Sequence, residues 1–382
     1  MNTHIERIGK SASMELIQKA KEMKEAGEDV IGLGGGEPDF DTPQPIKDKA
    51  IEELLKGNTH YAIGKGLPAL REKIAEKLLI DNSIDVSSED IIVTPGAKMA
   101  IYLSVRACIN VGDEVLIPTP SWVSYSEIVK SCGGIPVAVP LNSEDNYYLS
   151  KESLELYTSE KSKLIIICSP NNPTGRMYSR NEIKELISFV QEKDITIISD
   201  EVYEKIYYTN KPISPASFDE LKDITLTVNG FSKAYAMTGW RLGYVAGPPK
   251  YIKTISKLFT HTITGTSPFI QEAAIVAFDC DEYVEKMRTD YSQRKNYFIQ
   301  SLNSIPGVTC IVPDGAFYAW CRFDVEGNIA DELLNNAKVI GVPGIAYGKG
   351  FDKYIRFSFA SGMDELKEAT KRIEYFMRRR LG

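Results

Sequence analysis

The sequence predicts an α/β fold: a mainly parallel seven-stranded sheet in a large domain, followed by a smaller α+β domain. Seven short β-rich runs alternate with helical segments between residues 91 and 246. Several of these runs are almost wholly apolar, as strands covered on both faces must be. Beyond about residue 281 the texture changes to a long charged helix with shorter strands after it.

Taken in order, Met14 to Ala26 repeats apolar residues at helical spacing (Met14, Ile17, Ala20, Met23) and stops at Gly27, a good residue just past a helix end. Gly32 to Gly36 and Glu37-Pro38-Asp39 read as a loop, and Pro43 and Pro45 are expected to keep the next stretch extended. Pro68 opens a second helix, where its missing N–H costs nothing. The seven runs follow: Ile91 to Thr94, Glu114 to Pro118, Ile135 to Val139, Leu164 to Cys168, Ile195 to Ser199, Thr225 to Val228 and Tyr244 to Ala246. The later part reads as a helix around Tyr283 to Leu302, strands at Val308 to Val312, Phe317 to Arg322 and Tyr354 to Phe359, and a last helix from Met363 to Met377. The expected division is an N-terminal arm and helix over 1–45, a large domain over 46–283 and a small domain over 284–382.

Composition narrows the function classes. The 382 residues carry a net charge of −7, with 45 basic and 52 acidic side chains spread along the chain, which speaks against bulk nucleic-acid binding. No apolar run approaches the ~20 residues of a membrane span, and the polar Met1 to Lys10 has no hydrophobic leader segment, so a cytoplasmic location is expected. Six cysteines form no Cys-x-x-Cys pair, and reduced interior thiols are the expectation. Only His4, His60 and His261 are present, none in a ligand-like pair, so no metal site is expected.

In open α/β sheets ligands bind beyond the carboxyl ends of the strands. After the first run, Thr94-Pro95-Gly96-Ala97-Lys98 leads into a helix, and a glycine turn feeding a helix N-terminus suits a phosphate. The fourth run ends in Ser169-Pro170-Asn171-Asn172-Pro173-Thr174-Gly175, where two prolines hold the asparagines in a nearly fixed shape. The fifth ends in Ser199-Asp200-Glu201-Val202-Tyr203. A buried acid there needs a cation, either an arginine of the protein or a protonated ring nitrogen of a cofactor. The sixth leads through Asn229-Gly230-Phe231-Ser232-Lys233 to Thr238-Gly239-Trp240-Arg241. Burial beside a strand end would lower the pKa of Lys233 and favour the neutral amine that imine formation requires. Alone, such a lysine reads as a snorkelling surface residue; its neighbours change that reading.

Together, Ser169 to Gly175, Ser199 to Tyr203, Ser232-Lys233 and Thr238 to Arg241 resemble, in order and spacing, the motifs of class I aminotransferases, the fold-type I enzymes dependent on pyridoxal 5′-phosphate. Gly36-Glu37-Pro38-Asp39-Phe40, the Tyr61 region, Ser121-Trp122-Val123-Ser124-Tyr125 and Tyr354 to Ser358 extend the likeness over nearly the whole chain. The branch it most resembles is the prokaryotic-type aspartate aminotransferases.

The resemblance implies that Lys233 carries the cofactor and shuttles the proton between the substrate α-carbon and the cofactor. It implies that Asp200 keeps the pyridine nitrogen protonated, that Asn172 and Tyr203 bond the phenolic oxygen, and that Trp122 stacks on the ring. Phosphate would rest on the N–H groups of Gly96 and Ala97, with Lys98 near them, and on Arg241. Tyr61 would come from the neighbouring subunit of a homodimer. Arg356 and Gly36 would hold the substrate α-carboxylate, with Asn172 and Trp122 beside it. One departure stands out: some relatives have a hydroxyl residue three positions before the lysine, where this chain has Gly230, so phosphate would lean on Ser232 or on backbone groups.

The implied reaction moves an amino group from an L-amino acid, aspartate or a broader acidic and aromatic set, to a 2-oxo acid such as 2-oxoglutarate. Lys10 and Arg106 are the candidate cations for a distal carboxylate, although for each a solvated surface charge is the commoner role. A β-lyase on the same fold is the alternative within the class. A nicotinamide-dependent dehydrogenase fails because the Gly32 to Gly36 cluster meets Glu37 where its fingerprint requires glycine or alanine.

Overall fold

The computed structural model describes residues 6, 8, 9, 12–62, 64–191 and 193–382, with the side chains of 12–17 and 20 left out. Its strands are β1 (Ile31–Gly32), β2 (Ile91–Thr94), β3 (Glu114–Thr119), β4 (Ile135–Pro140), β5 (Ser162–Cys168), β6 (Thr196–Asp200), β7 (Thr225–Gly230) and β8 (Gly243–Ala246). They are followed by β9 (Val308–Cys310), β10 (Tyr318–Phe323), β11 (Val339–Ile340), β12 (Val342–Pro343) and β13 (Tyr354–Ser358).

The seven runs read from the sequence are the seven strands of one sheet, in the order β2-β8-β7-β6-β5-β3-β4. Only β8 runs antiparallel to its neighbours. Alternation along the strands divides the core. Leu164, Ile166, Ile198 and Val228 pack with Ala100, Ile101 and Val105 of the helix Ala97–Cys108, whereas Ile165, Ile167 and Ile197 join Leu186 and Phe189 on the other side. The helix Ala97–Cys108 therefore lies across one face of the sheet, with its N-terminus at the strand ends.

After the helix Asp281–Asn303, a four-stranded antiparallel sheet in the order β12-β13-β10-β9 is backed by the helix Met363–Leu381. A short parallel pair, β1 with β11, ties the start of the described chain to this part. Two-residue strands such as these have no period to read.

Two expectations are corrected. Residues Gln44–Leu55 form a helix rather than an extended stretch, with Pro43 as its cap and Pro45 in the first turn. Proline is as compatible with a helix start as with extended chain, and burial of Ile46 and Ala50 decides between them. Cys310 and Cys321 form a disulfide, whereas Cys108, Cys132, Cys168 and Cys280 are thiols. The two bonded cysteines face each other across the β9–β10 ladder, a register that spacing alone does not reveal. Among the described residues no helix is long and apolar enough to cross a membrane.

Candidate active site

The carboxyl ends of β2, β5, β6 and β7 converge on a cavity of about 930 Å³. Ala97, Lys98, Trp122, Asn172, Asp200, Tyr203, Ser232, Lys233, Arg241, Gly36 and Arg356 all line it. Pro95-Gly96 and Pro170 follow β2 and β5 closely, and side chains of residues far apart in sequence meet in the crevice.

Lys233 sits on a single helical turn, Phe231–Ala234, directly after β7. Its Nζ donates to the Gly36 carbonyl at 2.5 Å. Burial pushes its ammonium down to about 8, with Glu37 opposing the shift. The amine is thus poised to lose its proton near neutral pH.

Asp200 ends β6 and is 3% exposed. Tyr125 donates its hydroxyl to Oδ2 at 2.7 Å, and the Val202 N–H donates to Oδ1 at 3.3 Å. Burial lifts the carboxyl to about 6 against the pull of these two donors. Among the described residues no arginine or lysine pairs with it, which leaves a ligand cation as the partner foreseen from the sequence.

Arg356, on β13, is also 3% exposed. Its Nη1 donates to Asn172 Oδ1 at 3.2 Å and its Nη2 to the carbonyls of Gly34 at 2.6 Å and Gly35 at 3.2 Å. Its Nε is buried without an acceptor. The guanidinium lies 4.3 Å from the Tyr318 ring centroid. Tyr318 also shares a 2.7 Å hydrogen bond between hydroxyls with Tyr203. The Tyr203 hydroxyl expected to face a ligand therefore has a protein partner that the sequence did not reveal.

At the opposite end, Gly96 caps the helix Ala97–Cys108 with φ of 85°. Its N–H donates to the Thr94 carbonyl at 2.7 Å, so it does not point outward as expected. What Gly96 contributes is the missing side chain: a Cβ there would lie 2.5 Å from Arg241 Nη2. Arg241 itself has φ of 54°, a left-handed conformation that is costly for a non-glycine residue and concentrated at functional sites. Lys98 stands over Trp122, with Nζ 4.8 Å from the ring centroid, and burial followed by the nearby Arg241 lowers its pKa.

Two further sequence candidates, Tyr61 and Arg106, are not brought to this cavity. Tyr61 is 92% exposed and lines no part of it. Arg106 lies exposed in the last turn of its helix, away from the cavity, because the helix axis carries it down the sheet face. Lys10 lies outside the described residues. Sequence reading missed Lys21, Lys24 and Glu25, which enter the wall from the helix Ala12–Glu25. On that helix they looked like ordinary solvent-facing charges. It also missed the roles of Tyr125 and Tyr318, aromatics that periodicity assigns to the core.

Residues 28–373 match the family model for aminotransferase class I and II. A probable aspartate/prephenate aminotransferase of Aquifex aeolicus is 42% identical, over 97% of each chain. An aspartate aminotransferase of Geobacillus stearothermophilus is 43% identical, again over 97% of each. Among solved structures, the aspartate aminotransferase of Thermus thermophilus with maleate superimposes with a TM-score of 0.94 at 34% identity, over 98% of this chain and 99% of that one.

Proposed function

This chain belongs to the class I and II aminotransferase family, and from that membership we propose that it moves the amino group of L-aspartate, or of a broader acidic and aromatic set, to a 2-oxo acid such as 2-oxoglutarate. Its cofactor is the pyridoxal 5′-phosphate of the family. When bound, that cofactor supplies an aldehyde that takes up amines and a protonated ring that draws electrons from the carbon being deprotonated.

The observation that carries the reading is a pairing within one cavity: the Lys233 amine, and a buried Asp200 carboxylate that no arginine or lysine among the described residues pairs with. An unpaired buried carboxylate costs several kcal/mol, so its retention suits a ligand that brings the positive charge. The lowered pKa of Lys233 makes the neutral amine, required both of a nucleophile and of a base at the substrate α-carbon, more accessible than in an ordinary lysine. Trp122, Asn172 and Tyr203 line the same cavity, where Trp122 would offer a flat wall to the cofactor ring and Asn172 and Tyr203 would bond its phenolic oxygen.

Ser232, Lys98, Arg241 and the first N–H groups of the helix Ala97–Cys108 suit a phosphate, since such N–H groups lack intrahelical acceptors. Arg356, with its unsatisfied Nε and planar fork, suits the α-carboxylate beside Gly36.

Lys21 and Lys24, with Glu25 next to Lys24 in the same wall, add further cations, which favours a second carboxylate on the substrate. Maleate, bound in the Thermus thermophilus relative, is such a dicarboxylate. The reading extends to a homodimer with Tyr61 completing the partner's site. Tyr61 is exposed, and so are the apolar side chains Ile51, Leu54 and Leu55 of the helix Gln44–Leu55. It extends also to the division into 1–45, 46–283 and 284–382, and to a cytoplasmic home for the four thiols, against which the Cys310–Cys321 bond counts.

The test is spectroscopic and kinetic. Purified protein supplied with pyridoxal 5′-phosphate should gain an imine absorbance that borohydride traps on Lys233. The amino donors aspartate, tyrosine and alanine, each with 2-oxoglutarate, and aspartate with prephenate as the acceptor, should show transfer with aspartate the preferred donor. Colourless protein with no trapped adduct rejects the cofactor reading, and indifference to aspartate rejects the donor.

A further inference from the structure

Asp200, the last residue of β6, and Glu201, the first residue after it, are consecutive acids that leave the chain on opposite sides. Asp200 lines the cavity, whereas Glu201 is buried on the far side and touches no part of it. Glu201 Oε1 accepts from Ser199 Oγ at 2.8 Å and from Ser214 Oγ at 2.6 Å. Its Oε2 accepts from Asn82 Nδ2 at 3.0 Å. Asn82 donates as well to Glu204 Oε2 at 2.6 Å and accepts from Lys77 Nζ at 2.7 Å, and Lys77 is ion-paired with Glu204. The helix Pro68–Asn82 is thereby tied to the underside of the β6 end.

The chain needs such a tie. Residues 202–205 form turns rather than strand or helix, held by the Glu201 N–H to Val228 carbonyl bond at 2.8 Å and the Glu204 N–H to Glu201 carbonyl bond at 2.9 Å. Asp200 and Tyr203, on either side of Glu201, are the groups that must face the cavity. A buried set of two carboxyls and one ammonium is poor value for stability alone, because apolar side chains would fill the same space without desolvating charge. What such a set supplies is a single fixed geometry.

We propose that Glu201, gripped by Ser199, Ser214 and Asn82 and backed by Lys77 and Glu204, is a positioning residue that sets the 200–203 turn so that Asp200 and Tyr203 present their polar ends to the bound cofactor. The inference rests on the cofactor reading above. Burial and the neighbouring Glu204 lift the Glu201 carboxyl to about 7, against its two serine donors and Lys77. The clamp therefore changes its charge near neutral pH.

The experiment compares wild type, Glu201→Ala and Glu201→Gln, each folded and loaded with pyridoxal 5′-phosphate. It measures the cofactor dissociation constant and the pH midpoint of the bound cofactor's absorbance. Glu201→Ala is expected to weaken cofactor binding tenfold or more and to displace the midpoint. Glu201→Gln should recover part of both, because its Oε1 still accepts from the two serines, whereas its Nε2 cannot accept from Asn82. A Glu201→Ala protein that melts earlier but keeps the wild-type midpoint and dissociation constant overturns the proposal. Ser214→Ala and Asn82→Ala, each removing one contact to Glu201, carry the same test if Glu201→Ala does not fold: smaller displacements support the proposal, and none in either overturns it. A wild type without bound-cofactor absorbance overturns the cofactor reading itself, whereas a normal wild type with unchanged variants overturns this inference alone.

Discussion

The hydroxyl of Tyr125 donates to Oδ2 of Asp200 across 2.7 Å, joining the helix Ser124–Ser131 to the end of β6. This bond favours the charged carboxylate, against a burial effect that lifts Asp200 to about 6. Tyr125→Phe should raise the carboxyl further and leave less of it ionised at pH 7. Hydrogen bonds to charged groups are worth about 1.5–3 kcal/mol, so cofactor affinity should fall roughly 10- to 100-fold. Fluorescence titration of the apoprotein with pyridoxal 5′-phosphate checks this, and an unchanged affinity would show that Asp200 does not need the donor.

Lys233→Ala removes the amine that the site is built around. Turnover should drop by at least ~10²–10⁴-fold, the range expected for loss of a positioned base, and no adduct should form with borohydride. Mass spectrometry after reduction locates the adduct in wild type. Activity near the wild-type level in the variant would remove Lys233 from the mechanism.

Arg356→Lys keeps the charge and loses the planar fork. Lysine cannot hold a carboxylate by two parallel bonds, so KM for every amino donor should rise about 10- to 100-fold, with kcat less affected. Steady-state kinetics with aspartate and alanine make the comparison. A loss confined to aspartate would place Arg356 at the distal carboxylate instead.

Side-chain recognition separates the lysines of the cavity wall from Arg106. Lys21→Ala and Lys24→Ala, singly or together, should raise KM for aspartate several-fold more than KM for alanine. Arg106→Ala should leave both within about twofold, because Arg106 is exposed and outside the cavity. A selective loss of aspartate turnover in Arg106→Ala would contradict this geometry.

Stability of the apoprotein should depend on pH in two opposite windows. Asp200 and Glu201 are lifted to about 6 and about 7 from ordinary values of 3.8 and 4.5. The folded chain then holds more protons than the unfolded one, so stability falls as pH rises from about 4 to about 7. Lys233, depressed to about 8 from 10.5, acts the other way: the folded chain holds fewer protons there, and stability is regained as pH rises from about 8 toward 10.5. Glu201→Gln should flatten the slope between pH 5 and 7 by up to ~1.4 kcal/mol per pH unit. Urea midpoints of both proteins at pH 5, 6 and 7 decide it, and parallel profiles would exclude Glu201 as the titrating group.

The local pattern of residues by itself determined the seven strands of the main sheet, the late helices, and the turns on which Asn172, Asp200, Lys233 and Arg241 stand. Those features follow from side-chain period and from proline and glycine punctuation, forces that act within a few residues. Local rules ran out where one residue type serves two purposes. Pro45 suits extended chain and a helix start alike, and only the burial of Ile46 and Ala50 selects the helix. The lysines at 21 and 24 look like solvated charges until the fold brings their helix to the cavity.

Tertiary structure alone decided the partners. Tyr318 meets Tyr203 from 115 residues away and Arg356 meets Asn172 from 184, because β13 and β10 are delivered to the strand ends by a separate sheet. The Cys310–Cys321 pairing is likewise set by the register of β9 against β10. The physical reason is common to all three. A backbone preference is local to its residue, whereas the partner of a buried polar group is chosen by whichever distant element closes over it.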